Sequence, residues 1–174
     1  MLLSVSECII WGYILGYISI AYYIATMLFR IRVTLGIIFL SISIFAVAAP
    51  MVQSIIGYPA GESIYSTLSG VCHQYPTRSF WILSRPFALC ARCFSGYIGL
   101  AIGFFIISWQ WKYHKRLAAG VLFLIPAVAD GLIQLLTSYE SANITRSITG
   151  LIGGIGVFLI IFPYQTTLNN RGNK

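Results

Sequence analysis

Long apolar runs separated by short polar segments dominate the pattern of this chain. There are five such runs, and they lie at Cys8–Phe29, Val33–Ile56, Phe94–Trp111, Leu117–Leu136 and Ser147–Tyr164. About 20 residues at a rise of 1.5 Å each are enough to cross the hydrocarbon core of a bilayer. A segment in lipid must satisfy its own backbone hydrogen bonds, so each run is predicted to be a helix. The pattern therefore predicts an all-α, polytopic membrane bundle with about five transmembrane helices.

Composition supports this class. Apolar residues make up 58% of the chain and charged residues 9%, whereas a soluble domain carries about a quarter charged residues. This excludes an ordinary soluble protein, a disordered chain and a disulfide-rich secreted module. The net charge of +7 comes from basic residues scattered between the apolar runs, without the basic stripe of a nucleic-acid binder. We expect the lipid bilayer as partner, no nucleic acid, and a multi-pass location in the cell membrane.

The distribution of basic residues predicts the orientation. Seven of them lie between runs one and two, between runs three and four, or after run five: Arg30, Arg32, Lys112, Lys115, Arg116, Arg171 and Lys174. By the positive-inside rule these positions are cytoplasmic. We therefore expect the N-terminus outside, and residues 57–93 to form an extracytoplasmic cap within a single membrane domain, 1–174.

The cap segment carries a concentration of potential ligands. Cys72 and His73 are adjacent, and Cys90 and Cys93 form a C-x-x-C motif that leads into the third run. A Cys₃His set is a known zinc site, and C-x-x-C places two thiolates on one ion. The first hypothesis is therefore a metal site, with zinc as the cofactor and these four residues as ligands. His73 is the weakest of the four, because adjacent Cys and His residues seldom bind the same ion.

Two other readings of the cysteines stay open. A C-x-x-C at a helix N-terminus has a stabilised thiolate, which would suit a thiol-disulfide oxidoreductase that exchanges electrons with a lipid quinone. Alternatively, Cys90 pairs with Cys93 or with Cys72 in a structural disulfide on the oxidising side of the membrane.

Polar residues also interrupt the last two runs. Asp130 is the only acidic residue inside an apolar run, and placing a carboxylate there costs about 2.5–3.5 kcal/mol, so it needs a partner. Gln134 follows one helical turn later. Asn143 and Arg146 lie at the outer start of the fifth run. We predict an Asp130–Arg146 pair that is bridged or flanked by Gln134 and Asn143. These four are the candidate catalytic residues if the protein is an enzyme, which the sequence leaves open.

Four arginines, Arg78, Arg85, Arg92 and Arg146, remain on the predicted outer side. Guanidinium groups match phosphate oxygens, so a third hypothesis is a binder or modifier of an anionic lipid headgroup. Arg78 and Arg92 are the candidate cofactor-binding residues.

Small residues line one side of two runs. Gly99 and Gly103 form a G-x-x-x-G in the third run, and Gly150 and Gly154 form another in the fifth. Such faces let helix backbones approach closely. We predict that these two helices pack tightly, against each other or against the fourth.

The polar signatures together resemble a known family. The segments CHQxxxRSF, FALCARC, PAVADGLIQ and ESANITRxxTG occur in that order between Ser69 and Gly156. They are similar to those of the small prokaryotic integral membrane proteins grouped as domain of unknown function 2085. One departure is Ser95, which stands between Phe94 and Gly96. The resemblance implies a multi-span membrane protein with the Cys/His segment as its signature, and it implies no particular reaction. It extends to Cys72, His73, Gln74, Arg78, Ser79, Cys90, Arg92, Cys93, Gly96, Asp130, Gly131, Gln134, Asn143, Arg146, Thr149 and Gly150.

Overall fold

The computed structural model describes the backbone of residues 5–106 and 113–162, and the side chains of 16–105 and 114–162. It divides into two units, Met1–Thr34 and Leu35–Lys174, which are described separately. The described chain is all-α apart from one short hairpin. The helices are α1 (Val5–Ile55), α2 (Tyr58–Leu68), α3 (Ala91–Ile106), α4 (Tyr113–Leu136) and α5 (Asn143–Ile161).

Among the described residues, three helical stretches have the length and hydropathy of a membrane span: Gly16–Ile55, His114–Leu136 and Asn143–Ile161. Helix α3 is equally apolar but shorter over its described part, Ala91–Phe105. The all-α membrane class predicted from the sequence is confirmed. The number of crossings and the orientation stay predictions, and Trp111 and Tyr164, the predicted ends of two spans, lie outside the described residues.

The first two predicted spans are one helix in the structure. We expected a loop at Arg30 and Arg32 because two charges interrupt the apolar pattern there. Instead, α1 has no break between Val5 and Ile55. The local sequence explains the difference, since Phe29–Thr34 contains no glycine, proline or asparagine that would favour a turn.

Glycine contacts hold α3, α4 and α5 together within the second unit. A Cβ atom added at Gly99 would clash with the carbonyl oxygen of Leu151, and one added at Gly154 would clash with that of Gly96. On the other side of α5, a Cβ at Gly156 would lie 2.8 Å from the carbonyl oxygen of Gly120. The predicted close packing of the third and fifth runs is confirmed. It places the first turn of α3 beside Gly150, about two turns into α5.

The cap segment folds back over the ends of these helices. After α2 it forms a short 3₁₀ turn, Pro76–Arg78, and two paired strands, β1 (Trp81–Ile82) and β2 (Arg85–Pro86). Leu83 and Ser84 make the hairpin turn with φ of 51° and 60°, as a type I′ turn requires. The Ala88 N–H donates to the Ala46 carbonyl at 3.1 Å. That bond ties the end of the cap to α1 just before the chain enters α3.

Candidate functional site

Three cysteines of the cap meet at the start of α3. The sulfur atoms of Cys72, Cys90 and Cys93 all lie within 4.8 Å of one another, and all three are free thiols. Cys72 is held at the end of α2, where its N–H donates to the Leu68 carbonyl at 3.2 Å. Cys90 directly precedes α3, and Cys93 lies in its first turn. Two segments 18 residues apart are thus brought to one point, which we call the sulfur cluster.

The sulfur cluster has apolar surroundings. Cys72 and Cys90 are buried with Ala46, Ala49, Leu68, Ala88 and Leu89, and the side chains of Ile42, Ile64, Tyr65, Phe94 and Tyr97 pack around them. No carboxylate or imidazole lies within ligand distance of the three sulfurs among the described residues. Sulfur ligands in apolar surroundings bind soft cations better than hard, strongly hydrated cations.

Hydrogen bonding within the cluster shifts the pKa values of the cysteine thiols in opposite directions. Bonds from the Cys90 and Cys93 thiols hold the pKa of Cys72 well below its usual value, although burial opposes this. The Cys90 backbone N–H also donates to the Cys72 sulfur, at 3.3 Å. The same contact with Cys72 raises the pKa of Cys90. Hydrogen bonds from its neighbours therefore make Cys72 the sulfur of the cluster that loses its proton more readily than Cys90 does.

His73 is not brought to the sulfur cluster. Its side chain is exposed, and its ring lies against Tyr75 with the centroids 5.1 Å apart. The neighbouring residue Gln74 has φ of +50° and donates through its side-chain amide to the Tyr65 carbonyl at 2.7 Å. The backbone at this point anchors the cap, while the imidazole faces away from the sulfurs.

The second group of polar residues is centred on Asp130 of α4, which is 9% exposed. Its carboxylate forms an ion pair with Arg92 of α3. It also accepts from the Gln134 amide at 2.9 Å and from the Ser141 hydroxyl at 3.4 Å. Together with Arg146 and Asn143, these residues form what we call the arginine cluster.

The predicted Asp130–Arg146 pair is bridged by Gln134 in the structure, and the direct ionic partner of Asp130 is Arg92. Arg146 donates to the Gln134 side-chain oxygen at 3.3 Å and to the Asn143 side-chain oxygen at 3.2 Å, so it reaches Asp130 only through Gln134. The physical reason is the glycine contact between α3 and α5. The Arg92 carbonyl lies against Gly150, and this brings the Arg92 side chain within reach of the carboxylate first.

The arginine cluster also contacts the cap. The Asn143 side-chain amide donates to the carbonyl of Ser79, a fully buried residue, at 3.1 Å. Arg78, a candidate cofactor-binding residue, pairs with Glu140 at 3.2 Å on the surface. Arg92, the other candidate, belongs to the cluster itself. The sequence predicted that four residues lie together, and in the structure they form one connected network: Asp130, Gln134, Asn143 and Arg146.

The sequence alone did not identify two residues of these groups, Ser141 and Tyr97. Ser141 accepts from Gln134 at 2.8 Å and donates to Asp130, and its position two residues before Asn143 was the available signal. Tyr97 lies one turn after Cys93 and packs against the sulfur cluster. Aromatic residues are frequent in membrane helices, so the sequence alone did not single it out.

Comparison with known proteins agrees with this architecture. A family model described as "Predicted membrane protein (DUF2085)" matches residues 72–160, just over half of the chain. The chain belongs to this family. The match begins at Cys72 and includes both the sulfur cluster and the arginine cluster. The resemblance inferred from the four polar signatures is therefore confirmed.

Two archaeal relatives resemble more than half of the chain. An uncharacterised protein of Methanocaldococcus jannaschii is 38% identical over 104 residues, which are 58% of this chain and 67% of the relative. An uncharacterised protein of Methanothermobacter thermautotrophicus is 36% identical over 93 residues, 52% of this chain and 83% of the relative. No solved structure matches.

Proposed function

We propose that this chain is a membrane metal-binding protein in which Cys72, Cys90 and Cys93 hold one thiophilic cation, with zinc as the first choice. The observation that carries the proposal is the meeting of three free sulfurs within 4.8 Å. In a tetrahedral zinc site with Zn–S bonds of about 2.3 Å, sulfur atoms lie about 3.8 Å apart. Small rotations of the three side chains would reach that spacing.

Three protein ligands would leave one coordination position for another group. Structural zinc sites are usually closed by four protein ligands, whereas catalytic sites keep one position open. The described residues supply three sulfurs and no nearby imidazole or carboxylate. The fourth position is thus available to water or to an incoming thiol or anion, and a bound zinc would act there as a Lewis acid. This composition supports metal transfer or zinc-assisted chemistry more than a purely structural role.

We further propose that the sulfur cluster faces the outside of the cell. The cluster lies at the start of α3, the same end of the bundle at which α4 ends and α5 begins. Lys115 and Arg116 lie at the opposite end of α4. The positive-inside rule assigns that basic end to the cytoplasm. Labelling of intact cells with an impermeant thiol reagent, after chelation, tests this, and labelling only after lysis would reverse the orientation.

The test of metal binding is elemental analysis of the purified full chain together with a free-thiol count. We expect about one zinc per chain with three thiols protected from modification. Cys72→Ser, Cys90→Ser and Cys93→Ser should each lower zinc affinity by more than about 100-fold, since losing a ligand exceeds the 10–100-fold loss seen on changing its supporting residues. Cys8→Ser is the matched control, because Cys8 lies outside the cap segment. Wild-type protein without metal after growth in zinc, and without uptake on addition, would refute the proposal.

The second candidate is a thiol-disulfide oxidoreductase. It is favoured by Cys72, whose pKa is lowered and whose sulfur lies beside both members of the C-x-x-C. Oxidation of Cys72, as a thiolate, with a neighbouring thiol would form one S–S bond and release two electrons and one proton. A lipid quinone would take both electrons and, with a second proton from water, become a quinol. Metal-free protein that reversibly loses two thiols on quinone addition would favour this function over zinc binding.

A further inference from the structure

The arginine cluster contains more positive than negative charge. Asp130 is the only buried carboxylate among the described side chains, since Glu62 and Glu140 are exposed. Two guanidinium groups share it: Arg92 directly and Arg146 through Gln134. Arg146 is 4% exposed. The cluster therefore carries a net charge of +1, and an isolated buried charge is costly unless an ion of opposite sign accompanies it.

The hydrogen-bond donors of the two arginines are not all used. Arg146 directs one terminal nitrogen to Asn143 and the other to Gln134. Its Nε–H is buried and has no acceptor among the described residues, and the same holds for the Nε–H of Arg92. Buried donors are nearly always paired in folded proteins. Two orphaned guanidinium donors in one network, next to an unbalanced positive charge, indicate an anionic acceptor.

We propose that the arginine cluster is a binding site for a phosphate group, independent of the sulfur cluster. The edge of a guanidinium formed by Nε and a terminal nitrogen presents two parallel donors, which match two oxygens of a phosphate. A monoanionic phosphodiester would bring the net charge of the cluster to zero. The side chain of Arg92 is 32% exposed, so an anion can contact this arginine from the solvent side of the cluster.

Position in the helices agrees with such a ligand. Asp130 precedes the last residue of α4, Leu136, by six positions, or about 9 Å along the helix axis. Arg92 lies in the first turn of α3, where the helix dipole and free backbone N–H groups add to the attraction for an anion. The site thus lies within about 9 Å of the end of α4, nearer to that end than to the middle of the helix. A phospholipid headgroup and free phosphate offer the same chemistry, and the experiment must separate the two sources.

The experiment measures binding to the detergent-purified full chain with two probes. One is radiolabelled inorganic phosphate, and the other is a short-chain phosphatidylglycerol, with its uncharged diacylglycerol counterpart as the control ligand. Saturable binding of the phosphatidylglycerol alone assigns the site to a lipid headgroup, and saturable binding of inorganic phosphate assigns it to the free ion. Binding of neither probe by the wild-type chain, or equal binding of the uncharged lipid, overturns the proposal.

Variants then locate the site. Arg146→Gln and Arg92→Gln should each weaken binding of the phosphate probe at least tenfold. Arg146→Lys keeps the charge but loses the two parallel N–H donors of the guanidinium, so it should weaken binding less than Arg146→Gln does. Arg85→Gln removes the same charge from the cap, outside the cluster, and it should change affinity less than twofold. Equal losses in all three glutamine variants would mean diffuse surface attraction and would overturn the proposal.

The same samples separate this proposal from zinc binding. Zinc content should stay at the wild-type value in Arg146→Gln, because Arg146 contacts none of the three cysteines. If Arg146→Gln does not fold, the lysine variant and the wild-type measurement still decide the outcome. Zinc without phosphate binding would refute only the arginine site, and phosphate without zinc binding would refute only the sulfur site.

Discussion

The sulfur cluster and the arginine cluster adjoin in sequence, since Arg92 directly precedes Cys93, yet they are opposite in chemistry. The first gathers three thiols among apolar side chains, and its described surroundings offer no ion pair. The second connects two arginines and a carboxylate through amides and a hydroxyl. Arg92 lies between Cys90 and Cys93, but it points to α4. One helical turn thus serves a soft ligand site on one side and a charged network on the other.

This difference shows how a small membrane bundle separates two kinds of polar group. Neutral thiols are tolerated among alanines and leucines, because a thiol behaves as a small hydrophobic group. Guanidinium and carboxylate groups are stable at the same depth only with partners. Removing one charged residue of the arginine cluster is therefore expected to lower the stability of the protein. Removing one cysteine of the sulfur cluster is expected to affect mainly metal binding.

The largest effect should come from a change that breaks both clusters at once. Gly154→Leu places a side chain against the Gly96 backbone, separating α3 from α5, and should cost about 4 kcal/mol or more. Loss of the monodisperse peak in size-exclusion chromatography, with loss of zinc, checks this. Gly16→Leu is the matched control, since nothing lies within 4 Å of a Cβ there. A well-folded Gly154→Leu variant would contradict the packing.

A smaller effect, confined to the arginine cluster, is expected for Asp130→Asn. It leaves Arg92 without its carboxylate, and removing one partner of a buried pair costs about 3–5 kcal/mol. We expect the lower end, about 3 kcal/mol, because Arg92 is partly exposed to water. Thermal unfolding in detergent measures the loss, and zinc content should not change.

Double-mutant cycles identify the ionic partner of Asp130. The coupling of Asp130→Asn with Arg92→Gln should exceed its coupling with Arg146→Gln, which acts only through Gln134, within the range of about 0.5–3 kcal/mol found in connected networks. The reverse order would make Arg146, and not Arg92, the direct ionic partner of Asp130.

The sulfur cluster should show a proton effect and little change in stability. With the pKa of Cys72 lowered by its neighbours, zinc-free protein should retain thiolate absorbance near 240 nm below pH 8, where ordinary thiols are protonated. Cys72→Ala should remove it. Absorbance that appears only above pH 8.5 would mean that the three sulfurs do not share protons as described.

The smallest effect is expected for His73→Ala. The imidazole is exposed and lies away from the sulfurs, so zinc content should be unchanged and stability should shift by less than about 0.5 kcal/mol. A tenfold loss of zinc affinity would instead make His73 the fourth ligand predicted from the sequence.

The sequence by itself determined the properties that depend on composition and local spacing. Apolar runs with few charges determine an all-α membrane protein. The C-x-x-C before α3 predicts paired sulfurs, and a lone carboxylate in an apolar run predicts polar partners. Gln134 and Asn143 were placed correctly beside Asp130 and Arg146, because helical periodicity defines which residues of one helix share a face.

Only the tertiary structure decided which groups meet across helices. Whether Arg92 or Arg146 reaches Asp130 depends on the rotation of α3 against α5, and this rotation is set by backbone contact at Gly96, Gly99 and Gly154. The position of the exposed His73 outside the sulfur cluster is likewise set by the fold and not by its spacing from the cysteines. The continuity of α1 through Arg30 was likewise not visible, because charge in an apolar run marks a polar position without specifying a turn. Local pattern assigns residues to faces, and the packing of those faces assigns partners.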